Sequence, residues 1–511
     1  MKKHSLIKGT IILGVAGIVA KFLGLFFRWP LIMLIGDEGI GYYQMSYPLY
    51  TFFVALASGV PIAISKLVSE KNAIGDHEGI MKVLKESFIL MIFMGLGATL
   101  LLITFSRPII KYLRWNDKSY YSLIAIAIAP TFISIMSVFR GFFQGLQNMQ
   151  PTGISQIIEQ IGRVVVGVGL AFLLLPYGVE YSAGGAALGA AAGGLFAGIY
   201  LFIKYMKINK PIRLKGIKKD DKTLWVILKI AIPLSLGATV STIMGLIDSV
   251  LVPQKLLEAG FNSKEATILY GQLTGKANVL VNVPLTLSMA LCASIVPIIA
   301  EAYILQRKGD IINKVEIAIK ISSVIAIPSM LGLMLLSNPI MNLLFPGHSE
   351  GYNILRYLAI SIPATALAQT STAILQGTGN YIKPVINLFI GCIVKIIITL
   401  ITVPIPIFNI YGAVIATILA YMVSSVLNMM DLRKRLGIRI NYYDTTIKPA
   451  YASVIMMICV LVSYNKLFIY TKSNGASCLI AVFLGIIIYI VLTIVFGVFK
   501  YDYIKSRFFG R

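Results

Sequence analysis

Leu6–Ile35, LIKGTIILGVAGIVAKFLGLFFRWPLIMLI, decides how the rest of the chain is read. It is long enough to cross a bilayer, for which about 20 apolar residues suffice, yet Lys21 and Arg28 lie well inside it. Gly14, Gly17, Lys21, Gly24 and Arg28 follow the alternating three–four spacing that lines up one helical face. The other faces carry Leu, Ile, Val and Phe, suited to lipid or packed neighbours. A base at mid-membrane costs at least about 2.5–3.5 kcal/mol on insertion scales, so it faces a polar interior or has a partner. The stretch therefore reads as one wall of a wet, positively charged cavity. The alternative is a close-packing glycine face with both bases snorkelling to opposite interfaces; Lys21 lies too near the middle to do so easily.

The whole chain has the same character. Of its 511 residues 57% are hydrophobic and 13% charged, with a mean hydropathy of +0.84. That excludes a soluble globular protein and implies a polytopic membrane protein. The net charge of +24 would suit nucleic acid, but the bases sit mainly in short loops between apolar spans. This is the pattern of cytoplasmic loops beside an anionic leaflet, and nucleic acid is not an expected partner. The four cysteines, Cys292, Cys392, Cys459 and Cys478, lie in or beside apolar segments without metal-ligand spacing, which argues against disulfides and zinc. The charged start resembles a signal peptide, but its apolar run is too long and lacks a small-x-small cleavage site, so it reads as a retained span.

Apolar spans of helical length recur at 8–35, 42–65, 87–106, 120–146, 153–175, 183–206, 224–251, 268–300, 317–336, 354–376, 383–404, 411–430, 447–468 and 477–499. The fold class expected is an all-α polytopic membrane protein of about 14 helices; a membrane barrel would instead alternate in ten-residue segments. Pro130, Pro233, Pro284 and Pro328 inside spans imply broken helices. Bases cluster before the first span, after the second, from Lys204 to Lys222, after the twelfth and at the end, which places both termini in the cytoplasm. Arg107, Lys111, Arg114 and Lys118 then face outward, against the rule.

An internal repeat divides the chain. Gln144-Gly145-Leu-Gln-Asn148 matches Gln376-Gly377-Thr-Gly-Asn380, and the same offset superposes Arg163 on Lys395; Val60-Pro61-Ile62-Ala63 matches Val296-Pro297-Ile298-Ile299. An even number of spans between matches makes the repeats parallel, giving two lobes around a central cavity. The expected division is an N-terminal lobe at 1–207, a basic connector at 208–222, a C-terminal lobe at 223–435, and two appended helices with a basic tail at 436–511.

Polar seams mark candidate binding residues: Thr152, Gln156, Glu159 and Arg163, with Glu159 and Arg163 a four-residue pair; Asn387, Gly391 and Lys395; Thr365, Gln369, Thr372 and Gln376; and Gln272, Lys276, Asn278 and Asn282. Each seam alone is equally explained by interhelical hydrogen bonds, worth about 0.6 kcal/mol apiece in membranes. Together they are distinguished by sign, because the buried charges are mostly bases from both halves. Asp248 is an isolated acid, either neutralising a lysine such as Lys276 or serving as a cation or proton site that couples transport to a gradient. His4, His77 and His348 lie in terminal or loop positions. Nucleotide loop, zinc spacing, nucleophile elbow and carboxylate dyad are all missing, so the chain does not read as an enzyme.

The stretches Lys8-Gly-Thr-Ile-Ile-Leu through Lys21-Phe-Leu-Gly-Leu to Arg28, Gly36-Asp-Glu-Gly-Ile-Gly-Tyr-Tyr-Gln44 and Gly59-Val-Pro-Ile-Ala-Ile-Ser-Lys-Leu-Val-Ser-Glu70 resemble the stage V sporulation protein B family. That is the polysaccharide-biosynthesis, oligosaccharidyl-lipid flippase branch of the multidrug/oligosaccharidyl-lipid/polysaccharide exporter superfamily, beside the lipid II flippases. Length, span count and repeat extend the likeness over the whole chain. The resemblance implies outward movement of undecaprenyl-diphosphate-linked cell-wall or polysaccharide precursors by alternating access of two lobes, in sporulation or vegetative wall synthesis, with cell-wall synthesis proteins as further partners. Lys21 falls where lipid II flippases keep an essential base; Arg28 is displaced by one position from their second base, where this chain has Phe27. Their acid early in the second helix has no counterpart near Gly41-Tyr42-Tyr43. Asp248, Gln376 and Asn380 fall near positions that resemble a cation site in some relatives.

The expectation is thus a flippase in which Lys21, Arg28, Arg163, Lys276 and Lys395 attract the anionic head group while the tail stays in the bilayer. The membrane potential would help expel the anion, and Na+ or H+ at Asp248, Gln376 and Asn380 would be the coupling ion; no other cofactor is expected. The competing readings are a cation-coupled multidrug exporter of the same fold, a membrane-embedded glycosyl- or acyltransferase, and a scaffold for cell-wall synthases.

Overall fold

Why Leu6–Ala57 is continuous in sequence yet crosses the bilayer twice is explained by one residue. In the computed structural model, which describes residues 6–208, 221–305, 308–437 and 440–498, Gly36 adopts φ 60 and ψ −169 and breaks the helix α1 (Leu6–Ala57). A side chain at that φ would be strained, so glycine permits the reversal. The two arms fold back on each other: Phe27 and Tyr43 stack edge-on at 6.2 Å. After a turn at Ser58 comes α2 (Gly59–Ala73), and Asp76 then caps α3 (His77–Thr104). Its carboxylate accepts from the Gly79 N–H at 2.7 Å and the Lys71 ammonium at 2.9 Å. The lysine hydrogen bond, followed by the backbone one, holds that carboxyl below its usual range.

The first unit continues through α4 (Ser106–Tyr112), α5 (Ser119–Ala127), α6 (Ala129–Gly145), α7 (Met149–Leu174), α8 (Val179–Met206), α9 (Asp221–Glu258) and α10 (Ser263–Gly271). Among these α7 packs on α8 and on α1. The second unit opens with a π-helical turn, Gln272–Ala277, and contains α11 (Asn278–Ile304), α12 (Lys308–Leu335), α13 (Ser337–Leu344), α14 (Tyr352–Leu358), α15 (Ser361–Gly377), α16 (Ile382–Thr402), α17 (Asn409–Leu436), α18 (Lys448–Thr471) and α19 (Asn474–Val495). Its core includes Ile299, Val315, Ile319, Ile374, Leu375 and Leu432 from α11, α12, α15 and α17. A second cluster joins Met456, Met457 and Val460 of α18 to Ala481 and Tyr489 of α19.

The protein is an all-α, multi-pass membrane protein. Among the described residues 11 helices are long and apolar enough to span, or 12 if the bent pair α14–α15 is one span. One of them, Leu13–Ala73, has 61 residues, about 90 Å of helix against a hydrocarbon core of about 30 Å, and folds back at Gly36. It covers both of the first two spans expected from hydropathy. The expected span 268–300 is instead divided into α10, the π-helical turn and α11.

At one point the sequence repeat is matched in structure. α6 and α15 end alike: the Gln147 N–H bonds to the Gln144 carbonyl and Asn148 to Phe143, as Gly379 bonds to Gln376 and Asn380 to Leu375. Gln147 and Gly379 both take positive φ, 57° and 79°.

Packing divides the chain elsewhere, at Gly271 and Gln272, and not at the basic connector, whose residues 209–220 lie outside those described. The reason lies in α9. The Gly59 N–H donates to Ser235 Oγ at 3.0 Å, and Ser249 Oγ donates to the Met45 carbonyl at 2.8 Å. Trp115 Nε1 donates to the Ser249 carbonyl at 2.8 Å. A Cβ on Gly59 would stand 2.1 Å from the Ala231 carbonyl oxygen, so the missing side chain admits α9. Helix α9 thus belongs by packing with the first unit, although the repeat assigns it to the second half.

Candidate functional site

Charge is concentrated in the first unit where α1, α6 and α7 meet. Glu159 lies ten residues into α7, about 15 Å along the helix and so near the middle of a span. Arg140 of α6 reaches it: Nη2 donates to Glu159 Oε2 at 2.9 Å and Nε donates to Ser155 Oγ at 2.9 Å. Ser155 Oγ in turn donates to the Thr152 carbonyl at 2.7 Å. Arg163, one turn beyond Glu159, donates from Nη2 to Oε1 at the longer distance of 3.5 Å. The side chains of Arg140, Glu159 and Arg163 are 16%, 13% and 12% exposed. A single carboxylate is therefore shared by two guanidinium groups away from bulk water.

The third arginine comes from the other arm of α1. Arg28 lies eight residues, about 12 Å of helix, from the reversal at Gly36. Its guanidinium carbon stands 5.9 Å from the Tyr43 ring centre and 5.8 Å from that of Tyr47, within cation–π range. Tyr43, Tyr47 and Tyr50 occupy one face at helical spacing, with ring centres 5.5 and 5.6 Å apart. Arg163 lies on the stretch of α7 that packs on this part of α1: a Cβ on Gly24 would stand 3.6 Å from Gln160 Oε1, and one on Gly167 2.8 Å from the Phe27 ring. Arg28 Nη1 and Arg163 Nε are both buried without a hydrogen-bond partner among the described residues. Buried donors left in this state are rare. Three arginines against one glutamate leave a net positive charge with donor capacity to spare.

Close packing of α8 sets this geometry. A Cβ on Gly193 would lie 2.4 Å from the Glu159 carbonyl oxygen, and one on Gly189 would lie 2.7 Å from that of Arg163. These glycines let α7 approach α8 at the level of the two charges.

The other expected residues are placed differently. Lys21 lies on α1, but its side chain is outside those described. Lys276 belongs to the second unit, on the π-helical turn, where Nζ donates to the His348 carbonyl at 2.6 Å and the Glu350 carbonyl at 3.4 Å. It thereby holds the 345–351 loop. Lys395 is buried in α16, which packs on α17. On the same face Asn387 donates to Asn428 at 2.9 Å and to Asp431 at 2.8 Å. Asp248 is buried in α9 of the first unit, whereas Gln376 and Asn380 are in the second. The Asn380 side chain accepts from the Lys383 N–H at 3.3 Å. Two of the four off-rule bases have local partners: Lys118 pairs with Glu180 at 3.3 Å, and Arg107 lies 5.5 Å from the Tyr120 ring centre. Arg140 and the tyrosine face are the members that sequence reading missed.

The family described as "Polysaccharide biosynthesis protein" matches residues 6–303, and the MatE family matches 274–401. Stage V sporulation protein B of Bacillus subtilis (strain 168) is 29% identical, covering 99% of this chain and 98% of its own. Lipid II flippase MurJ of the same organism is 28% identical over 84% of this chain and 83% of its own. A solved structure of lipid II flippase MurJ in an inward closed conformation superposes with TM-score 0.72 at 19% identity, covering 95% of this chain and 98% of that one. The fold is therefore the two-lobe fold that the resemblance implied. With more than half its length matched, the chain belongs to the polysaccharide biosynthesis protein family.

Proposed function

We propose that the protein is a flippase that carries an undecaprenyl-diphosphate-linked glycan precursor from the cytoplasmic to the outer leaflet of a bacterial plasma membrane. The observation that supports this reading most is the pair of buried guanidinium donors, Arg28 Nη1 beside the Tyr43 ring and Arg163 Nε on α7, that have no hydrogen-bond partner among the described residues. Guanidinium groups suit phosphate because their donors fork onto its oxygens. The relatives named as a lipid II flippase and a sporulation protein point the same way. Lys21, seven residues before Arg28 in α1, is a further base assigned to the head group on this reading. The head group enters while the tail stays in lipid, and rocking of the lobes opens the site outward. With both termini cytoplasmic, the inside-negative potential drives the anion out, contributing about 2.3 kcal/mol per charge per 100 mV.

The test is translocation of a lipid-linked diphosphate sugar by purified protein in vesicles. Lys21→Ala combined with Arg28→Ala abolishes it while the folded protein stays in the membrane; full activity of that variant contradicts the reading.

Asp248 supports a second reading, a cation-coupled drug exporter, because it is a buried acid in α9 and the MatE family matches residues beyond it. Efflux of cationic dyes that requires Asp248 and tolerates loss of Lys21 and Arg28 would decide for it. Under the flippase reading Asp248 is the candidate group for Na+ or H+ coupling.

A further inference from the structure

The two arginines on Glu159 are held unequally. Arg140 makes two bonds of 2.9 Å, one to the carboxylate and one to Ser155, which is itself anchored to the Thr152 carbonyl. Among the described residues Arg163 has one bond of 3.5 Å, and its Nε has no hydrogen-bond partner. A length of 3.5 Å is at the limit of what counts as a hydrogen bond. Arg163 is therefore the guanidinium that can leave Glu159 at least cost, and Arg140 keeps the carboxylate in place when it does.

We infer that Glu159 is an internal competitor for the substrate's phosphate, an exchange partner that sets affinity and releases the anion. This deepens the flippase reading and rests on it. In the empty protein Glu159 compensates Arg163, whose uncompensated burial would be costly. An arriving diphosphate takes Arg163 over, together with Arg28, while Arg140 retains Glu159. As the phosphate departs, Arg163 returns to Glu159, so the carrier resets without holding an anion. Arg140 is a positioning residue: it touches Glu159 and Ser155, and acts on the substrate only through them.

Binding and transport separate this inference from the reading beneath it. Purified full-length protein is titrated with undecaprenyl diphosphate, and the same variants are assayed for flipping in vesicles. Glu159→Gln, which keeps size and hydrogen bonding but removes the charge, binds undecaprenyl diphosphate about tenfold tighter or more, the equivalent of one charge-assisted bond. Its KM and kcat for flipping fall together, and dissociation slows. Glu159→Asp restores both toward the wild type, and Arg140→Met, which frees Glu159 for Arg163, weakens binding. A folded Glu159→Gln protein with unchanged or weaker binding, or with kcat lowered and KM unaltered, overturns the inference. If the wild type neither binds undecaprenyl diphosphate nor flips its conjugates, the flippase reading itself falls.

Discussion

At the residue scale the site is a problem of compensating charge. Glu159 stands between Arg140 and Arg163 at 13% side-chain exposure, so deleting it leaves two guanidinium groups with less than they need. Removing one partner of a buried ion pair costs about 3–5 kcal/mol. Glu159→Ala should therefore destabilise the folded protein by that order, seen as a lowered unfolding temperature in detergent; Glu159→Gln should lose much less. The Glu159–Arg163 pair was legible because four residues make one helical turn. Arg140 was not, since it lies five residues before the end of α6, where a base reads as a loop charge. Nor could the sequence show that Arg28 meets Tyr43 and Tyr47, because their contact exists only once α1 reverses at Gly36.

Single elements explain why those side chains converge. The small-residue run of α8, Ser182 to Gly194, gives up side-chain packing area to let α7 lie close. Gly193→Leu would place carbon 2.4 Å from the Glu159 carbonyl oxygen, and only displacement of α7 relieves it. Flipping should fall severalfold or more in that variant although every charged residue is retained. An unchanged rate in vesicles would mean that α7 need not be held at that distance. Spans were readable from hydropathy because lipid demands unbroken apolar length. The division of 268–300 into α10, a π-helical turn and α11 was not readable, since a register shift in hydrogen bonding leaves composition untouched. The matched ends of α6 and α15 were foreshadowed by the Gln144 and Gln376 motifs. The motif residues themselves carry the shared backbone turn, with Gln147 in the place that Gly379 fills.

For the whole molecule, duplication and packing are separate facts. The repeat was visible as an offset in sequence, but the placement of α9 with the first unit depends on Gly59 and Ser235 meeting at one point, which hydropathy cannot report. The proposed chemistry rests on sign: on that reading, positive charge is kept at bilayer depth for a negatively charged passenger. The measurement that tests this most directly compares two lipids with the same polyprenyl tail in vesicles containing wild-type protein, one bearing a diphosphate-linked sugar and one an uncharged glycoside. The account predicts that the diphosphate lipid is flipped, that the neutral lipid is not, and that Arg28→Ala combined with Arg163→Ala abolishes the difference. Equal flipping of both lipids, or undiminished selectivity in the double variant, would contradict it.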